Sequence, residues 1–457
     1  MRFLRSPAAL LVTTALFAGC SDSGDAPIDV GVDGGASVDA AIDATQGAQD
    51  AGPPQVMFPR TGISASELGV LVNDDDPLSV AISTYYVAAR NIPPANVVHV
   101  KLPTGGSTIT NVIFDPVKTQ VDAALPKSVQ ALAITWTKPY AVEKTSITSA
   151  FAMGFRTIAD TCNDPMAQAQ SANPYLKKRT STSPFTDLAF RPTMTIPATT
   201  IEEAKTVIDR GIAADDTWPT GDAYLMKTSD LTRSARCIVN AGYGWTNECQ
   251  TFLNTWDTTA SGIGASIVSA DFIENEKKVL FYVQGLASVT KIATNTFLPG
   301  AVADHLTSYG GQIPTSGQMS AFEFIKGGAT GSYGTVVEPC AFQQKFPDPS
   351  VLIPAYFGGG TLIEAYWKSV VWPIEGIFIG EPLARPFGTG FRSTFTAGKL
   401  TIETTTMVPG HKYLIESADA SAGPFTTVLG DLSVTKYQRS TFDVPNAQKR
   451  FYSFREQ

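Results

Sequence analysis

Apolar and polar positions along this chain fall into blocks that predict alternating strands and helices. Gly69-Val70-Leu71-Val72 is a short, continuous apolar run ending in Asn73-Asp74-Asp75-Asp76-Pro77. That is the pattern of a strand buried on both faces and closed by a turn. From Ser79, the positions Val80, Ile82, Tyr85, Tyr86 and Ala89 share one broad helical face, which stops before Ile92-Pro93-Pro94. Val97-Val98-His99-Val100 predicts a second strand, Asp115 to Leu125 a helix, and Ala131 to Trp136 a third strand. Apolar strands joined by helices indicate a mainly parallel α/β sheet, either Rossmann-like or caspase-like.

The pattern loosens over residues 155–200, which are rich in Thr, Ser, Pro and Ala and read as long excursions. Ile201 to Ala213 predicts a helix capped by Thr199 or Thr200, with Glu202 and Glu203 in its first turn. Ala223 to Met226 and Lys278 to Val283 predict further strands. Gly300 to Tyr309 reads as a helix stopped by Gly310-Gly311. The last stretch changes character. Leu400–Thr404, Tyr413–Glu416, Phe425–Val428 and Phe451–Phe454 are short β-prone runs separated by turn residues. They predict a small antiparallel β-sandwich over 393–457, similar to fibronectin-like modules, after an α/β domain over 56–392.

The amino-terminal residues change the picture. Arg2 and Arg5 open a short apolar segment closed by Leu16-Phe17-Ala18-Gly19-Cys20. A cationic start, an apolar stretch and small residues before the cleavage point form an export signal, here over residues 1–20. Cys20 after Ala-Gly resembles the bacterial lipobox, which implies acylation of Cys20 and a lipid anchor. Ser21 at the next position implies the outer membrane, with the body facing the periplasm or the cell surface. Residues 21–55 carry seven Asp and no Lys or Arg. They predict a disordered acidic tether, because such a composition buries too little apolar surface to offset its ordering entropy.

The chain carries a net charge of −8, of which residues 1–55 hold −5, leaving −3 on the body. A near-neutral body excludes a nucleic-acid surface, which needs clustered Lys and Arg. Four cysteines follow Cys20. An even number in an exported protein favours disulfides over metal ligation. Cys237 and Cys249 flank a Gly- and aromatic-rich turn and are predicted to pair, leaving Cys162 with Cys340.

Several motifs resemble one family. They include Val72-Asn73-Asp74-Asp75-Asp76-Pro77, Tyr85-Tyr86-x-x-x-Arg90-x-Ile92-Pro93, and Gly328-Ala329-Thr330-Gly331-Ser332-Tyr333-Gly334-Thr335-Val336-Val337-Glu338-Pro339. Glu364-Ala365-Tyr366-Trp367-x-Ser369 and Gly380-Glu381-Pro382-Leu383 complete the set. Together they resemble an uncharacterised family of exported bacterial proteins found in genomes that carry exosortase. That resemblance implies relatedness and no activity. A more distant one, to gingipain-type caspase-like peptidases, implies a fold. Those enzymes place His-Gly at one strand end and a nucleophilic Cys at the next, where the thiolate attacks. Here the His-Gly position reads Gln284-Gly285, and no Cys stands at the nucleophile position.

The candidate chemistry is thin. Asp74, Asp75 and Asp76 follow a strand end, where open α/β sheets bind ligands. They suit a divalent cation or acid–base work, and equally a solvated turn that caps the next helix. His305 and Ser308 share a helical face if that segment is helical. Gly327 to Ser332 suits a phosphate cradle or tight backbone packing. Glu338 and Glu364 read as site acids or as buried acids paired with backbone donors or an Arg such as Arg385. Two functions are therefore expected. The first is a non-catalytic envelope protein that binds or presents a ligand. The second is a hydrolase, peptidase-like or metal-assisted, using Asp74, Asp230, His305 and Glu338. No cofactor is predicted.

Overall fold

The computed structural model describes residues 53–157, 172–234, 236, 248–340 and 342–457. Cys20, most of the acidic stretch, Cys162 and Cys237 lie outside them, so each predicted disulfide has one member outside the described residues.

The sheet strands are β1 (Gln55–Met57), β2 (Leu68–Asn73), β3 (Val97–Val100), β4 (Ala131–Ile134), β5 (Thr193–Thr195) and β6 (Gly221–Met226). There follow β7 (Ile263–Val268), β8 (Val279–Gln284), β9 (Phe297–His305), β10 (Gly331–Thr335) and β11 (Gly376–Gly380). Ten of these form one sheet in the order β7-β6-β8-β9-β10-β11-β5-β4-β2-β3. β7, β6, β8, β9 and β10 run parallel to one another, as do β11, β5, β4, β2 and β3. The halves meet at the antiparallel pair β10–β11. The carboxyl ends of the two halves therefore lie at opposite edges of the sheet. The class is mixed α/β with a large, mostly parallel sheet.

Helices α1 (Pro77–Arg90), α2 (Asn111–Ala124) and α3 (Ile201–Ala214) are where the apolar periodicity places them. Asp76 caps α1 through the Leu78 amide at 2.9 Å, and Thr200 caps α3 through the Glu203 amide. Short helices α4 (Phe322–Gly327), α5 (Pro349–Phe357) and α6 (Leu362–Trp367) follow. The main core joins α1, α3, α5 and α6 to one face of the sheet, with Tyr86, Ile208, Tyr356, Tyr366 and Trp367 all buried.

Three expectations are corrected. The predicted helix over Gly300–Tyr309 does not form: Gly300 to His305 belong to β9, and a turn follows. Ala301, Val302 and Ala303 are buried, with Val302 in one core and Ala301 and Ala303 in another. A short apolar run of Ala and Val does not distinguish a helix from a strand covered on both faces. The Thr-rich excursion contains a central strand, β5, whose three residues are fully buried. The terminal module is antiparallel in all its strand pairings over 391–457, and one parallel strand joins it from outside that stretch. Its strands are β12 (Phe391–Thr396), β13 (Lys399–Thr404), β14 (Tyr413–Ala418), β15 (Thr426–Leu432), β16 (Ser440–Val444) and β17 (Phe451–Glu456). They form two small sheets, β12-β13-β16 and β1-β17-β14-β15, over one core that includes Phe391, Ile402, Ile415 and Phe454. β1 joins β17 in parallel, so residues 55–57 belong to this module rather than to the α/β part.

Candidate functional site

The split sheet separates the four predicted acid–base residues. Asp74 follows β2 at one edge, whereas Asp230, His305 and Glu338 follow or end β6, β9 and β10 at the other. The hydrolase constellation as predicted is therefore not assembled. Asp74 pairs with His99 at 2.6 Å on the surface. Asp76 is occupied as a helix cap. Asn73 is fully buried and serves the loop, donating to the Leu102 carbonyl and accepting from the Leu102 and Asp75 amides. Among the described residues, no cluster of three His, Cys, Asp or Glu side chains is placed to hold a metal ion. Asp230 binds Arg233 and its amide. Glu338 is exposed and accepts from the Cys340 amide at 3.0 Å.

The Gly-rich run reads as packing. Gly331 to Thr335 is the strand β10, and a Cβ on Gly334 would come within 2.4 Å of the Gly310 carbonyl carbon. The side-chain-free strand lets the β9–α4 loop lie directly on it.

A buried polar group does gather at the second edge. Gln284 and His305 are register partners on the neighbouring parallel strands β8 and β9. Gln284 is fully committed: its amide nitrogen donates to the Tyr282 hydroxyl at 2.7 Å and the Asp271 carbonyl at 2.9 Å, and its oxygen accepts from the Gly285 amide. His305 is completely buried against the Phe324 ring, and neither ring nitrogen has a hydrogen-bonding partner among the described residues. Burial, with the positive charge of Arg236 adding to it, pushes the His305 pKa down to about 3, so the ring is neutral. Asp304 points to the opposite face and forms a buried ion pair with Arg236. Burial pushes its carboxyl up, against the pull of Arg236 and the Tyr366 hydroxyl. The Nε and Nη2 atoms of Arg236 have no partner among the described residues.

The motif acids are structural ties. Glu381 is fully buried after β11 and accepts from the Tyr86 hydroxyl and the Arg90 guanidinium of α1. Arg90 also binds Asp215, whose other oxygen takes the Arg385 amide. Glu364, at the start of α6, accepts from the Ile63 and Thr361 amides, the Thr361 hydroxyl and the Tyr175 hydroxyl. Backbone donors and hydroxyls thus serve Glu364, and its Oε2 lies next to Arg385 across Gly62.

One opening carries no signal in the sequence. A cavity of about 420 Å³ lies between α5, the end of α6, residues 59–61 and 177–180, and the terminal module. Its size falls in the range of small-ligand pockets. The walls are mainly apolar, including Val351, Pro354, Val408, Tyr413 and Phe454, and five cations and one carboxylate line it. A binding pocket made by segments so distant in sequence has no local motif.

No family model matches the chain, and no curated protein sequence matches it. A solved structure titled "Structure of Protease" is similar over 87% of this chain and 98% of that one, at 9% identity and a TM-score of 0.38. A likeness this distant bears on neither fold nor activity.

Proposed function

We propose that this chain is a non-catalytic binding protein of the bacterial envelope, anchored in the outer membrane through acylated Cys20 and held off it by the acidic stretch. The motifs from Val72 to Leu383 support membership of the uncharacterised exported family. The finer fold we propose is caspase-like, because Gln284 and His305 end neighbouring parallel strands, the places that resemblance gives to His-Gly and Cys.

The observation that carries the reading is the chemistry at those two strand ends. Gln284 has both amide protons and its oxygen engaged in hydrogen bonds, and His305 is neutral and sealed in the core. Neither is placed to activate or to be a nucleophile, since a general base must reach the proton it takes.

A second reading, hydrolysis at this same edge, has one observation in its favour. The unpartnered nitrogens of His305 and Arg236 sit at strand ends, and buried unsatisfied groups concentrate where function strains a structure.

Asp304→Asn separates the two. As a structural partner of Arg236, its loss leaves a buried guanidinium uncompensated and lowers stability by about 3–5 kcal/mol. A variant as stable as the parent, or more so, would speak for a strained functional group. For the anchor, Cys20→Ser is expected to abolish palmitate labelling and release the protein from membranes; unchanged labelling would sink it.

A further inference from the structure

We infer that the cavity between the α/β part and the terminal module binds a small amphipathic monoanion, an organic carboxylate on an apolar body, through the ammonium of Lys368. The inference deepens the binding reading by naming a ligand class, and its test reads affinity, not turnover.

Lys368 follows α6, lines the cavity, and its side chain is only 5% exposed. Its ammonium stands 3.8 Å from Glu364 Oε1, beyond hydrogen-bond distance. Glu364 is already served by four other donors. The Tyr175 ring, 4.9 Å away, offers a cation–π face and no lone pair. The ammonium makes no hydrogen bond of 3.5 Å or shorter to any described residue, so a buried cation on a residue that lines the cavity is met only by a long ion pair to Glu364. Leaving such donors unmet is costly, and an oxyanion in the cavity would satisfy them. A second group points the same way. Thr405, from the terminal module, also lines the cavity; it is 1% exposed, and its hydroxyl has no partner among the described residues. Burial lowers the Lys368 pKa, opposed by Glu364 and aided by Arg179.

The other lining cations define the ligand's charge. Arg179 is held by Glu456, Arg455 by Glu416, and Arg60 by Glu67 and the Thr182 carbonyl. Lys177 is exposed and 4.0 Å from Asp348. One buried ammonium, held only by a long ion pair, suits one negative charge. The apolar walls suit a hydrocarbon or aromatic body, and the volume suits a small molecule rather than a chain segment.

The test is titration calorimetry of decanoate and of decanol into the full chain carrying Cys20→Ser. Decanoate should bind at one site about tenfold or more tighter than decanol, as for a charge-assisted contact. Lys368→Met should remove that advantage and leave decanol unchanged, while Val351→Trp, which fills the apolar wall, should weaken both. Equal affinity for decanoate and decanol, no decanoate binding, or an unaffected Lys368→Met would each overturn the inference. If Lys368→Met does not fold, the decanoate–decanol contrast in the parent and the Val351→Trp effect decide it.

Discussion

Arg90 and Glu381, 291 positions apart, form a buried ion pair that ties the carboxyl end of α1 to the turn after β11. Glu381 is fully buried and the Arg90 side chain is 9% exposed. Removing one partner strands the other, which costs about 3–5 kcal/mol, whereas an apolar replacement of both costs less. Glu381→Ala is therefore expected to be severely destabilised in urea denaturation, and Arg90→Met with Glu381→Leu to lose less than the sum of the single changes. Additive losses would show that the two do not act as a pair.

Gly211, in the last turn of α3, lies against the same carboxylate: an added Cβ would sit 2.5 Å from Glu381 Oε2 and 2.7 Å from its Cβ. Ala is ordinarily about 1 kcal/mol better than Gly inside a helix. Here overpacking should win, and Gly211→Ala should destabilise by about 1–3 kcal/mol. A rise in melting temperature would contradict the close approach.

His305 gives the body a dependence on pH. Its pKa is about 3 in the folded chain, against an ordinary 6.5. Below pH 6.5 the unfolded chain takes up a proton that the folded chain refuses until about pH 3. Its contribution to stability is thus whole above 6.5 and is lost as pH falls through that window, by up to about 1.4 kcal/mol per unit. The melting-temperature difference between His305→Gln and the parent should be constant above pH 6.5, and the parent should lose stability relative to the variant as the pH falls from 6.5 to 5. Parallel curves would mean that His305 titrates normally.

Phe58, just after β1, stacks on Phe391 with ring centroids 4.5 Å apart. Because β1 also pairs with β17, this short segment should hold the terminal module. Phe58→Ala is expected to cost about 1–2 kcal/mol for a half-buried aromatic pair. It should also speed hydrogen exchange at Tyr452 and Ser453. Exchange unchanged in β17 would show that the strand adds nothing.

The elements legible in the sequence are those whose periodicity is local: β2, α1, α3, β8 and the short strands of the terminal module. β5 escaped because the three residues Thr-Met-Thr are too short a run to show a period, and β10 because the glycines of Gly-Ser-Tyr-Gly-Thr lower its strand propensity; both are held in place by their neighbours. β9 escaped because its Ala-Val-Ala-Asp run fits either period. The antiparallel junction β10–β11 is invisible without the fold, and it is what sends Asp74 and His305 to opposite edges. For the same reason, the resemblance motifs looked like site chemistry. Glu381 and Glu364 prove to be buried ties whose partners, Arg90 and Ile63, lie far away in the chain.

The most direct measurement is turnover. The purified body is assayed against peptide, ester and glycan libraries, with and without divalent metal, beside His305→Gln and Asp304→Asn. With Gln284 engaged in hydrogen bonds and His305 sealed and neutral, no library member should be hydrolysed by any of the three. Hydrolysis by the parent that is lost in a variant still folded, as judged by its melting transition, would contradict a non-catalytic role and place a reactive site at the ends of β8 and β9.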